Sequence, residues 1–98
     1  MAFKVSMAAQ AEADLDAIYD YIATHASPTR ARAYVDRLLT FLSQFDTFPQ
    51  RGSVRADLRD GLRIVGFERR VSVAFIVETD TVVILRILYA GRSIDVEF

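Results

Sequence analysis

The chain has 98 residues, of which 52% are hydrophobic, with no cysteine, one histidine and a formal net charge of −1. A chain of this length forms one domain, so we predict a single domain over residues 1–98. The composition excludes disulfides, thiolate-bound zinc, and any metal site or catalytic triad that needs several histidines. We therefore expect no metal and no other cofactor.

Basic residues are unevenly distributed and are almost all arginine. Eleven of the twelve are Arg, and all eleven follow residue 29. Arginine favours bidentate binding to carboxylates or phosphates, but a domain that binds nucleic acid strongly is usually more basic than this one. The charge balance therefore favours a protein ligand.

Neither a signal peptide nor a membrane span is predicted. The first residues lack a long apolar run, and no stretch approaches the roughly 18 continuous apolar residues that a membrane helix needs. We expect a cytoplasmic protein without a membrane partner.

The first half of the chain predicts a strand and a helical hairpin. Residues 3–6 alternate apolar and polar side chains, and a helix is expected over about residues 7–26, with Ser6 as its N-cap. Ser27 and Pro28 are typical of a second helix start, and this helix should end near Phe45. Its apolar stripe is Ala31, Tyr34, Val35, Leu38, Leu39, Leu42 and Phe45. The short link predicts an antiparallel hairpin, with His25 at the bend interacting with the end of the first helix.

Three strands are predicted in the second half. A polar loop that begins around Pro49 and Gly52 is followed by apolar segments over about residues 62–68, 70–78 and 81–89. A tight turn over residues 78–81 makes the last two strands an antiparallel hairpin. The order β-α-α-β-β-β predicts an α+β fold, with an antiparallel sheet and the two-helix hairpin packed on one face.

The last two predicted strands are apolar on both faces, whereas a half-solvated antiparallel sheet alternates apolar with polar residues. A two-helix hairpin can cover only one face. The opposite face is therefore expected to need another cover: the C-terminal tail, a second copy, or another protein, which we favour.

Arg86 interrupts this apolar pattern in mid-strand. A mid-strand Arg is rarely buried without a carboxylate partner, so one interpretation is an internal ion pair with Asp80, Asp95 or Glu97. The other is that Arg86 marks the rim of a binding surface, because Arg and Tyr dominate interface energies. The candidate residues for this surface are Arg63, Arg69, Arg86, Tyr89 and Arg92.

Several segments together resemble the ParE-type toxins of the RelE/ParE toxin–antitoxin superfamily. They are the helical segment at residues 11–22, Pro49 followed by Gly52, Gly61-Leu62-Arg63, Val73-Ala74-Phe75, residues 83–89, and Gly91-Arg92-Ser93-Ile94. The likeness covers nearly the whole chain, and it rests on the order and spacing of these segments.

The resemblance implies the toxin of a type II toxin–antitoxin system, encoded on a plasmid or chromosome. It implies a ParD-like antitoxin that wraps the toxin, DNA gyrase as the target, and a hetero-oligomer that contacts operator DNA only through the antitoxin. Such a toxin inhibits by binding, and no catalytic residue is then expected.

The alternative is a ribosome-dependent mRNA endoribonuclease of the RelE type, which would use Arg63, Arg86, Tyr89 and Arg92. That chemistry needs donors to the phosphate and a group that handles the 2′-hydroxyl proton. Compared with RelE-like enzymes, this chain has Val65 in place of a Lys, Ser72 in place of an Arg, and Phe98 in place of a terminal Tyr. These differences favour the gyrase-directed interpretation.

Overall fold

The computed structural model describes residues 3–89. Its two helices are α1 (Ala9–His25) and α2 (Pro28–Ser43), and the short 3₁₀ turn η1 (Gln44–Asp46) follows α2. Its strands are β1 (Lys4–Met7), β2 (Ser53–Val54), β3 (Arg63–Phe67), β4 (Val71–Val77) and β5 (Thr81–Tyr89). The α+β architecture with a two-helix hairpin is confirmed, and β2 is an addition that the polar loop sequence did not reveal.

The strands form one sheet in the order β1-β5-β4-β3-β2. All neighbours are antiparallel except β1, which pairs with β5 in parallel, so the sheet is mixed. The helical hairpin carries the chain from β1 across one face of the sheet, as a parallel connection requires. The direction of β1 depends on a pairing with the far end of the chain, which local turn signals do not report.

The hydrophobic core lies between the helical hairpin and this face of the sheet. Leu38 and Phe45 from the α2 side and Phe75 and Ile84 from the sheet are completely buried. The Phe45 and Phe75 rings meet edge to face with their centroids 4.9 Å apart. Because interiors are packed to crystalline density, this layer fixes the position of both helices on the sheet.

The ends of the helices follow the sequence signals only in part. Ser27 is the N-cap of α2, since its Oγ accepts a hydrogen bond from Arg30 N at 3.1 Å. His25 interacts with the end of α1 as expected, because its Nδ1 donates to the Tyr21 carbonyl at 2.8 Å. Ser6 does not cap α1, and this prediction is wrong: Ser6 lies in β1, paired with Val83, and α1 begins after Ala8.

The sheet face opposite the helices is only partly buried. Ala74 and Leu88 are buried on it, and Ile76 and Val83 are half-buried. The large hydrophobic side chains with high exposure lie elsewhere: Tyr21, Leu39, Phe48 and Val54. The expectation that this face needs another cover stays a prediction, whereas the assignment of Leu39 to the buried stripe is wrong, because Leu39 is 41% exposed. The tail, one of the covers considered, lies outside the described residues.

Candidate functional site

Arg86 forms an internal ion pair with Asp14. Its Nε and Nη2 donate to the two carboxylate oxygens at 2.7 and 3.0 Å, and the side chains are only 13% and 5% exposed. The interpretation of Arg86 as an internal partner is confirmed, although the carboxylate is not one of those predicted. The hydrogen bonds to Asp14 raise the pKa of Arg86 above its ordinary value. Arg86 is therefore not a free binding-surface residue.

This ion pair sits where β1 ends and exposes the edge of β5. The β1 pairing stops opposite Ile84, and Ile87 N donates instead to Asp14 Oδ2 at 2.9 Å. Next to this point the pairing of β4 with β5 shifts register between Ala74 and Phe75, so that Leu85 has no partner residue on β4. Asp14 thus accepts hydrogen bonds from a buried backbone N–H and from a guanidinium. Both donors need such a partner, because buried polar groups are almost always hydrogen-bonded.

Arg63 has a structural contact at the opposite side of the sheet. It begins β3 opposite Phe75, and its Nη1 donates to the Arg51 carbonyl at 3.2 Å. The Arg51 guanidinium lies over the ring of Phe45, 5.1 Å from its centroid. Arg63 therefore ties the loop before β2 to the sheet.

Tyr89 lies at the end of β5 and forms one wall of a cleft of about 620 Å³. Its ring centroid is 5.5 Å from that of Tyr21 and 6.0 Å from that of Tyr34. The described residues that line this cleft, called here the aromatic cleft, are Tyr21, Ile22, His25, Ala26, Arg30, Ala33, Tyr34, Arg37, Glu68, Arg70 and Tyr89.

The charged side chains of the aromatic cleft are only partly paired. Arg37 donates to both carboxylate oxygens of Glu68 at 2.9 and 3.0 Å, and its guanidinium lies 5.3 Å from the Tyr34 ring centroid. These hydrogen bonds raise the pKa of Arg37 and lower that of Glu68. Neither Arg30 nor Arg70 has an ion-pair partner within residues 3–89. The cleft therefore carries an excess of two positive charges.

The hydroxyl of Tyr34 is buried in this cleft without a hydrogen-bond partner in the described part of the chain. Burial, and to a smaller extent the Glu68 carboxylate, raises the pKa of Tyr34 to about 12. The phenol consequently stays protonated at neutral pH and can donate a hydrogen bond. A buried polar group without a partner costs roughly 1–3 kcal/mol, so an acceptor that reached this hydroxyl would bind favourably.

A strained turn presents two of the cleft residues. Glu68 and Arg69 have φ values of 49° and 61°, and Arg70 N donates to the Phe67 carbonyl at 3.1 Å. Two positive φ values identify a type I′ turn, in which Asn and Gly are preferred. Non-glycine residues in such conformations are often found at binding sites, where the surrounding structure holds them.

The structure separates most of the predicted site residues. Arg63 and Tyr89 pair with β4 at Phe75 and Val71, which places them about 13 Å apart along the strands. Arg86 is held at the β5 edge, and Arg69 lies in the turn beside the aromatic cleft without lining it. Arg92 lies outside the described residues. Of the predicted residues within 3–89, only Tyr89 therefore contributes to the cleft.

The other ten residues that line the cleft were not predicted as site residues, among them Arg30, Tyr34, Arg37, Glu68 and Arg70. One signal was available for the three residues on α2, because Arg30, Tyr34 and Arg37 are spaced by four and three positions and share a helix face. Tyr34 was assigned to the apolar stripe of this helix, so its hydroxyl was not considered as a binding group.

Within the described residues, no cluster of His, Asp and Glu is arranged to hold a metal ion. Neither α1 nor α2 has the length and apolar character needed to cross a bilayer.

Comparison with known proteins places this fold among the toxins of type II toxin–antitoxin systems. A chain of the chromosomal ParDE TA system from P. aeruginosa is 28% identical; the match covers 91% of this chain and 97% of that one, with a TM-score of 0.79. The sequence model of the ParE toxin of type II toxin–antitoxin systems (parDE) matches residues 5–94. The chain therefore belongs to the ParE toxin family, which confirms the resemblance. Among curated proteins, none matches it.

Proposed function

We propose that this ParE-family toxin inhibits DNA gyrase by binding to it in the cytoplasm, and that a ParD-like antitoxin neutralises it in a hetero-oligomer. Operator DNA is contacted through the antitoxin alone. The observation that supports inhibition by binding most strongly is the commitment of Arg86 to Asp14, with both side chains nearly buried.

The arrangement of the other candidate groups also supports inhibition by binding. An endoribonuclease needs donors to a phosphate and a proton acceptor for the 2′-hydroxyl within reach of one another. Arg63 is bonded to a backbone carbonyl, and Tyr89 lies about 13 Å further along the sheet. His25 lies at the exposed helical bend and donates to Tyr21. These described groups do not converge on one reacting atom.

The surface chemistry supports a protein target. The aromatic cleft and its surroundings combine Tyr and Arg side chains, which contribute most to protein–protein binding energies. The net charge of −1 disfavours a nucleic-acid backbone as the main ligand.

Controlled expression of the chain in bacteria tests this proposal, with a DNA-damage reporter and mRNA integrity followed together. Gyrase inhibition should induce the reporter while mRNA stays intact, and co-expression of the antitoxin should abolish the response. A Leu38→Ala variant, whose core cavity costs about 2–5 kcal/mol, is the unfolded control. Extensive mRNA cleavage without reporter induction would refute the gyrase proposal in favour of the ribonuclease.

A further inference from the structure

We propose that the aromatic cleft binds an acidic side chain of the antitoxin, with an apolar side chain from the same segment packed beside it. The carboxylate binds Arg70 and the Tyr34 hydroxyl, and the apolar neighbour lies against the rings of Tyr21 and Tyr89. This inference rests on the proposed toxin–antitoxin pairing, and it assigns to this chain the site and the charge that the antitoxin must complement.

The charges of the cleft define the ligand as an anion. Three Arg side chains line it with one Glu, and that Glu68 is already bonded to Arg37 through both oxygens. Arg30 and Arg70 have no carboxylate partner within the described range. A guanidinium without a carboxylate partner that lines a concave surface can bind a ligand carboxylate through charge-assisted hydrogen bonds.

The Tyr34 hydroxyl adds a donor at a fixed position. It is buried, and no described residue accepts its proton. Its raised pKa of about 12 keeps the proton on the oxygen. A carboxylate oxygen accepts this hydrogen bond, and a lysine or arginine of a partner would not.

The aromatic walls select a segment that is apolar beside its acid. Tyr21 is 49% exposed and stacks on His25 at a centroid distance of 4.1 Å, so the ring is held in place although it is open to solvent. With Tyr89 it offers a preordered apolar surface, which binds a partner side chain with little loss of conformational entropy.

The occupant is a protein segment rather than RNA. The chain carries a net charge of −1, whereas a domain that binds a nucleic-acid backbone is usually basic. Membership of the type II family implies a protein antitoxin. An acid on that antitoxin complements the excess positive charge of the cleft, which favours correct pairing over pairing with unrelated proteins.

Isothermal titration of the toxin with its purified cognate antitoxin tests the inference. Arg70→Glu should weaken binding by about 30-fold or more, because it places like charges together in the interface. Tyr34→Phe should weaken it about tenfold, since it removes one hydrogen bond to a charged group. Arg32→Glu, an exposed charge reversal on the same helix that does not line the cleft, should change the affinity less than about threefold.

The rescue experiment identifies the acid. Each Asp and Glu of the antitoxin is replaced singly by Arg, and one replacement should restore binding to Arg70→Glu while it weakens binding to the wild-type toxin. Circular dichroism checks the fold of each variant. If Arg70→Glu does not fold, the affinity of Tyr34→Phe alone tests the inference, because this variant removes a single oxygen and should keep the fold.

Unchanged affinity for both cleft variants, with wild-type binding intact, would overturn this inference and leave the proposed function standing. Failure of the wild-type toxin to bind the antitoxin would instead overturn the proposed pairing. Binding of labelled single-stranded RNA that is lost in Arg70→Glu would assign the cleft to nucleic acid and overturn the inference as well.

Discussion

The carboxylate of Asp14 on α1 accepts both hydrogen bonds from the guanidinium of Arg86 on β5, across 72 positions of sequence, at 2.7 and 3.0 Å. The same carboxylate accepts Ile87 N at 2.9 Å. One helical side chain therefore accepts the hydrogen bond of a β5 backbone N–H that lies beyond the end of β1, and it also neutralises the one Arg of β5. This contact joins the helical hairpin to the sheet, and it removes Arg86 from the surface available to a substrate.

Loss of the Asp14 carboxylate should strongly destabilise the fold. Asp14→Ala leaves a nearly buried guanidinium and a buried N–H without partners, which costs about 3–5 kcal/mol. Urea unfolding followed by circular dichroism measures the loss. Asp16→Ala removes an exposed carboxylate from the same helix and should leave the midpoint nearly unchanged.

Replacing both partners distinguishes the attraction between the two charges from the free-energy cost of burying them. Asp14→Leu combined with Arg86→Met removes both charges and should recover part of the stability lost in Asp14→Ala, because apolar groups of similar volume can replace a buried pair. An Asp14→Ala variant as stable as the wild type would show that this contact does not hold α1 on the sheet.

The stability of the chain should fall at alkaline pH through Tyr34. Its pKa of about 12 in the folded chain exceeds the ordinary value of 10.0. In that pH window the unfolded state releases the phenolic proton while the folded state keeps it, so unfolding is favoured as the pH rises. Tyr34→Phe should lose less stability than the wild type between these values, as measured by urea unfolding at a series of pH values. Parallel losses in the two proteins would contradict the burial of this hydroxyl.

The element order could be predicted because most of the signals are local. Ser27 and Pro28 mark the start of α2 through contacts within one helical turn, and the β4–β5 hairpin follows from its short turn. The Asp14–Arg86 pair could not be predicted in the same way. Asp14 appears in the sequence as one more acid on an amphipathic helix, and only the packing of α1 on β5 brings it to the guanidinium.

The candidate site was predictable only at Tyr89. The cleft depends on the hairpin bend, the β3–β4 turn and the end of β5 meeting in space, and these segments are distant in sequence. The interpretation of the sheet as apolar on both faces was correct for residue type. The exposure of this face is intermediate, because Ala74 and Leu88 are buried while Ile76 and Val83 are half-buried, and what covers it cannot be deduced from residue type.

Relief of the strained β3–β4 turn should stabilise the protein. Arg69 has a φ of 61°, which costs an L-residue about 1–2 kcal/mol and costs glycine little. Arg69→Gly should therefore raise the urea midpoint. Arg70→Gly next to it gains nothing from glycine's freedom, because Arg70 is not among the residues with positive φ, and it should lower the midpoint. A loss of stability in Arg69→Gly would argue against the type I′ turn.

Gly52 should tolerate no side chain. It has a φ of 69°, and an added Cβ would lie 2.1 Å from the backbone oxygen of Ile64. Gly61 has a similar φ of 75° but open space around its Cβ position. Gly61→Ala should therefore cost about 1–2 kcal/mol, the backbone strain alone. Gly52→Ala should cost clearly more, because β2 must move from β3. Equal losses in thermal unfolding would show that backbone conformation alone determines the glycine at both positions.

The stoichiometry of inhibition tests the central claim, action by binding, most directly. Purified chain is titrated into a gyrase supercoiling reaction and, separately, into a ribosome reaction that contains labelled mRNA. We predict that supercoiling stops only as the chain approaches the concentration of gyrase, and that the mRNA stays whole even with excess chain. Cleavage of many mRNA molecules by each chain, with gyrase unaffected, would contradict the account and show that the chain is an enzyme.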